Sequence, residues 1–172
     1  MSIDMFFTSC QAGQGTQEST NPFTGETETM DVGGICSDSE RAAIGKLFAS
    51  AGNNVNGGDG VIKFSDGNSV DCDFVGLDEN PQFNGGRLGF QKITPDLAQF
   101  MYDLAVCGNF SIVGTSMEDP AIVTSEDATS QIPDVFSTAI VIKSGDDLYD
   151  YLAGELKDAE NYIRRVIDEA ED

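Results

Sequence analysis

Few residues in this sequence have types and spacings that could do chemistry, and each candidate group lacks a partner. Histidine is absent from all 172 residues, which removes the commonest general base and excludes a Ser-His-Asp or Cys-His arrangement. No serine lies in a Gly-x-Ser-x-Gly elbow, since Gly114-Thr115-Ser116-Met117-Glu118 lacks the closing glycine. Cys10, Cys36, Cys72 and Cys107 are separated by 26, 36 and 35 positions, far from the short spacing of a zinc knuckle or a redox Cys-x-x-Cys. Four free, mostly buried thiols and no zinc are the expectation, with Cys72 and Cys107 at inward-facing positions.

Loops that could cradle a phosphate or a cation fail in the same way. Gly13-Gln14-Gly15-Thr16-Gln17-Glu18 has Glu18 where a dinucleotide fingerprint needs glycine, and no helical pattern follows it, so a flexible loop is expected. Gly45-Lys46 falls inside a helical pattern and Glu40 stands at the first Walker position. Asn54-Val55-Asn56-Gly57-Gly58-Asp59-Gly60 has Asp59 at the sixth position and Ser65 at the twelfth, which is not an EF-hand loop. Ile62 also breaks the single copy of a β-roll repeat there, so an ordinary turn is expected. Paired carboxylates could run glycoside hydrolysis without histidine, but among thirty acids no pair is singled out. Asn109-Phe110-Ser111 matches a glycosylation sequon but falls in a predicted strand. No catalytic residue, metal ligand or cofactor is expected from these motifs.

Charge narrows the function further. Thirty Asp and Glu against nine Lys and Arg give a formal charge of −21, the wrong sign for phosphate backbones or anionic lipid heads. Nucleic acid and membranes are therefore excluded as expected partners, whereas basic proteins and cations are compatible. The nineteen Asp and eleven Glu are spread along the chain, which suits a folded acidic surface better than a disordered arm. Solubility or salt adaptation would explain the same surface without any partner. The start Met1-Ser2-Ile3-Asp4 has no basic region, apolar stretch or cleavage site, and no segment approaches the ~20 apolar residues of a membrane span. A cytoplasmic location is the expectation.

The elements that must position these groups follow from pattern. With 40% hydrophobic residues and eleven Phe, the chain suits one domain over residues 1–172. Asp4 to Cys10 reads as a first strand, and residues 11–29 as a turn-rich stretch with Phe23 projecting from the Asn21–Gly25 turn. An extended piece resumes at Thr27–Val32. Ser37-x-x-Glu40 is a capping box ahead of Ala43, Ile44, Leu47, Phe48 and Ala51, and Gly52 ends that helix. Val61–Ser65 and Ser69–Phe74 form a hairpin; with Asp66-Gly67-Asn68 as the loop, Phe64 faces Val70, Ile62 faces Cys72 and Lys63 faces Asp71. Gly85-Gly86 precede a strand from Arg87 to Ile93. Thr94-Pro95-Asp96 opens a second helix through Leu97, Phe100, Met101, Leu104 and Ala105 to Gly108. Strands follow at Phe110–Gly114, Ala121–Thr124 and, buried, Thr138–Ile142. Ser144-x-x-Asp147 caps a last helix with the stripe Leu148, Leu152, Leu156, Ala159, Ile163 and Ile167. Strands joined by hairpins among three helices predict an α+β fold with an antiparallel or mixed sheet.

Ser2-Ile3-Asp4-Met5-Phe6-Phe7, the Asn21-Pro22-Phe23-Thr24-Gly25 turn, Ile93-Thr94-Pro95-Asp96-Leu97-Ala98-Gln99-Phe100 and the closing helix together resemble small uncharacterised bacterial α+β proteins. Some of that build act as immunity proteins beside toxin genes. The resemblance implies a non-enzymatic partner-binding protein and names no functional residue. From the residues themselves, the densest acidic group that one element can hold rigid is Asp71 and Asp73 on their strand, with Asp66 at the hairpin tip and Asp78 and Glu79 just beyond. These five are the candidate contacts to a basic protein. The alternatives are a histidine-free carboxylate enzyme or ligand-binding domain, with its cleft near residues 53–60 or 82–86, and an acidic domain with no dedicated partner.

Overall fold

The computed structural model describes residues 3–10, 15–20, 25, 27–32, 34–52, 55–115, 120–132 and 138–170, with backbone alone for 15–20, 28–32, 55–56 and 158–170. Its elements are β1 (Ile3–Ser9), β2 (Gly15–Thr20), β3 (Thr27–Val32), α1 (Asp38–Ala51), β4 (Val55–Asn56), β5 (Asp59–Lys63), β6 (Ser69–Asp73), β7 (Gly85–Phe90), α2 (Pro95–Gly108), β8 (Phe110–Val113), β9 (Ala121–Val123), α3 (Glu126–Thr129), β10 (Ala139–Val141) and α4 (Gly145–Ala170). Eight strands form one sheet in the order β10-β9-β8-β1-β7-β6-β5-β4. All its pairings are antiparallel except β10 with β9, so the sheet is mixed and the fold is α+β.

Helix starts follow their sequence signals. The Ser37 side chain accepts from the Glu40 N–H while the Glu40 carboxylate accepts from the Ser37 N–H at 2.7 Å. Thr94 caps α2 with Pro95 in the first turn, and Ser144 Oγ accepts from the Asp147 N–H at 3.1 Å. The end of α2 differs from expectation: Gly108 stays helical, and Asn109 takes the left-handed cap at φ 48°. Asparagine tolerates that conformation through its short polar side chain.

One face of the sheet carries the helical layer, and the core between them is aromatic. Phe74 is its hub, with ring centroids 5.2 Å from Phe48, 5.8 Å from Phe7, 6.2 Å from Phe110 and 6.5 Å from Phe83. Gly86 makes room for that hub, since a Cβ there would fall 2.5 Å from both the Phe74 ring and the Asp73 carbonyl. The glycine pair expected to precede β7 therefore lies inside it. On the opposite face, α3 contacts β9 and β10 over a small second core of Cys10, Val123 and Ala128. Because α3 is a single turn, the rest of that face keeps outward side chains.

Three further expectations are corrected. Asp59–Lys63 and Ser69–Asp73 pair with Ile62 opposite Val70, Lys63 opposite Ser69 and Val61 opposite Asp71, so Lys63 does not face Asp71. The loop is Ser65-Asp66-Gly67, because Gly67 at φ +83° supplies the left-handed last residue of a three-residue turn. The slip is two residues, so Ile62, Val70, Cys72 and Phe74 remain inside. The turn-rich stretch contains a strand, β2, paired with β3 from Gly15 opposite Val32 to Thr20 opposite Thr27. Its Gly-Thr-Gln-Glu-Ser-Thr sequence has no apolar alternation to announce a strand. The 21–24 turn lies outside the described residues. Finally, β10 is a half-buried edge strand instead of a buried one, because only one side pairs with a neighbour.

Candidate functional site

Alternation along the central strands sends every second side chain to the open face. The pairing registers line these residues up in rows across the sheet. One row runs Val113, Phe6, Arg87, Asp73, Asp59, and the next runs Asp4, Gly89, Asp71, Val61. Asp59, Asp71 and Asp73 are exposed, while Asp4 and Arg87 are half-buried. Phe6, on a strand in the middle of the sheet, is 37% exposed. The face thus carries a short apolar row beside four carboxylates and one guanidinium, with the exposed Lys63 further along β5.

That guanidinium is committed to one partner. Arg87 Nη1 donates to Asp4 Oδ1 at 2.7 Å, and the pair is the only described ion pair on this face. Asp71, Asp73 and Asp59 have no ion-pair partner among the described residues.

The five acids expected from sequence divide into three places. Asp71 and Asp73 lie on the open face, as their strand alternation requires. Asp78 and Glu79 belong to the turn after β6 and line a cleft of about 230 Å³ with Gly57, Asp59, Val75 and Gly76; Val75 is 69% exposed at its rim. Asp59 joins the two groups, because it lines this cleft and stands opposite Asp73. Asp66 is at the other end of the hairpin. Its carboxylate accepts the Asn68 N–H at 2.9 Å, and this bond holds the carboxyl below its usual range, which gives Asp66 a turn-forming role. Asp4, Phe6, Asp59, Arg87 and Gly89 were not singled out from sequence. The alternation of β1 placed Asp4 and Phe6 together, but nothing local announced that β7 pairs with β1.

A second, shallower cleft of about 520 Å³ runs along α1, lined by Asp38, Arg41, Gly45, Lys46, Leu77 and Asp78 among others. Arg41 is held there by Asp38 and by the Asn80 carbonyl at 3.1 Å, so its charge is already engaged.

The thiols are poorly suited to nucleophilic work. Cys10, Cys36 and Cys72 are buried, and Cys107, expected inward, is only half-buried. Burial pushes Cys36 and Cys72 up to about 12 and Cys107 up to about 11, with nearby carboxylates adding to the effect. A protonated thiol is a weak nucleophile. Among the described residues no group of three or more Cys, Asp or Glu is arranged to hold a metal ion, and no helix is long and apolar enough to cross a membrane. No family model, curated protein or solved structure matches the chain.

Proposed function

We propose that this chain is a non-enzymatic binding protein whose open sheet face engages a basic protein, in the manner of an immunity or inhibitor protein. The observation that carries this reading is the unneutralised group Asp59, Asp71 and Asp73 beside Phe6. An exposed aromatic on a central strand, flanked by Val113 and rimmed by carboxylates, is the composition of a protein-binding patch. The carboxylates would steer a basic partner in and make the association rate fall with salt. Phe6 would supply the desolvated centre that charge alone does not give. The same reading puts the protein in a reducing cytoplasm, which suits thiols that burial keeps protonated.

The test uses a panel of folded basic proteins, including any basic protein encoded beside this one, captured on the immobilised chain. Asp71→Asn with Asp73→Asn should weaken capture about tenfold, the loss of roughly 1.4 kcal/mol. Asp146→Asn with Asp150→Asn removes the same charge from exposed positions on α4 and should have little effect. Equal losses from the two pairs would mean that only net charge matters, and the chain would then be an acidic domain without a dedicated face.

A further inference from the structure

We infer that the open face accepts an arginine side chain of its partner in a notch floored by Gly89, in exchange for Arg87; this rests on the binding reading above. Gly89 lies between two carboxylate-bearing neighbours, Asp4 on β1 and Asp71 on β6. A Cβ at this position would sit 3.0 Å from Asp4 Oδ1, 3.2 Å from Arg87 Nη1 and 3.8 Å from Asp71 Cβ. The missing side chain therefore leaves a floor of bare backbone over which a guanidinium lies, and the molecule fills it with its own.

The arrangement favours exchange over a permanent bridge. The Arg87 and Asp4 side chains are 36% and 33% exposed, so water reaches the pair and its hold is weak. Arg87 also has a second carboxylate waiting, because Asp73 stands directly opposite it. When an incoming guanidinium takes Asp4 and Asp71, Arg87 swings to Asp73 and keeps a carboxylate partner. Phe6, the other cross-strand neighbour of Arg87, is an exposed aromatic on the same face. A planar guanidinium uses both the ring and two separated carboxylates better than a compact ammonium does, so the occupant is arginine, presented on an extended segment of a basic protein.

The probe is a labelled, acetylated peptide of alternating arginine and threonine, with the lysine counterpart beside it, followed by fluorescence anisotropy at low salt. Arg87→Gln should tighten the arginine peptide three- to tenfold and the lysine peptide less. Lys46→Gln, which removes one positive charge from α1, should change either peptide less than twofold. Adding Gly89→Ala to Arg87→Gln should erase the gain by filling the floor. Arg87→Lys, which keeps the charge without the fork, should give an intermediate affinity, and thermal melts confirm that each variant is folded. The inference is overturned if Arg87→Gln weakens binding, if it matches Lys46→Gln, or if its gain survives Gly89→Ala. Should these fail while Asp71 and Asp73 still govern capture of a folded basic protein, the binding face stands and the arginine notch falls. If Asp71 and Asp73 behave like Asp146 and Asp150, the binding face itself is lost.

Discussion

Arg87 and Asp73 stand directly opposite each other on neighbouring strands, yet the Arg87 guanidinium turns away and binds Asp4 on the far side at 2.7 Å. Asp73 is left facing another carboxylate, Asp59, on its other flank. Like charges directly opposite in an antiparallel pair oppose folding.

Relieving that repulsion should stabilise the protein. Asp59→Asn is expected to raise the unfolding free energy by about 0.2–1 kcal/mol at low salt, with the gain fading as salt screens the pair. Urea titrations at low and high ionic strength measure it, and a loss of stability on substitution would show that Asp59 has a structural partner.

The two faces of the sheet should respond unequally to truncation. Phe74, fully buried and surrounded by four rings, should cost about 3–5 kcal/mol when changed to Ala, by cavity formation. Phe6, on the open face, should cost under about 1 kcal/mol when changed to Ala while reducing partner capture. Denaturation midpoints of the two variants decide this, and similar losses would refute the assignment of Phe6 to solvent.

Alkaline pH should destabilise the fold through its thiols. An unfolded cysteine loses its proton near 9.0, whereas burial, reinforced by Asp71 and Asp59, pushes Cys72 up to about 12. Between these values the folded state keeps a proton that the unfolded state has released, so stability is full below the window and falls as pH rises through it. The slope is at most about 1.4 kcal/mol per pH unit for each such thiol. Cys72→Ala should make the decline between pH 9 and 12 shallower, read from urea midpoints across that range, and an unchanged slope would remove Cys72 as its source.

The α+β class, the caps and the faces were legible because each is written locally. Ser37 and Glu40 announce their box within four residues, and the inward set Ile62, Val70, Cys72 and Phe74 survives a two-residue register slip since the side-chain period is two. The register itself was not, because Gly67 at the end of the turn set the loop one residue earlier than Asn68 suggested. Asp71 and Asp73 could be assigned to an outer strand face from alternation alone. Their neighbours Asp4, Arg87 and Gly89 could not, since rows across a sheet join residues far apart in sequence. β2 stayed hidden for the same reason, as polar alternation leaves no trace until the partner strand is known.

The place of β1 in the middle of the sheet has a consequence for assembly. To one side β4 through β7, and to the other β8 through β10, are wired by near neighbours in sequence, while β1 alone joins the two halves by setting Ile3 against Phe90 and Ser9 against Phe110. β1 thus has no partner in this sheet until β7 has been made. At ~5–20 residues per second of synthesis it waits several seconds or more with Met5 and Phe7 uncovered. Closure over such separations is slow by its nature, so β1 is the seam at which this protein is most exposed to mispairing with a second nascent copy.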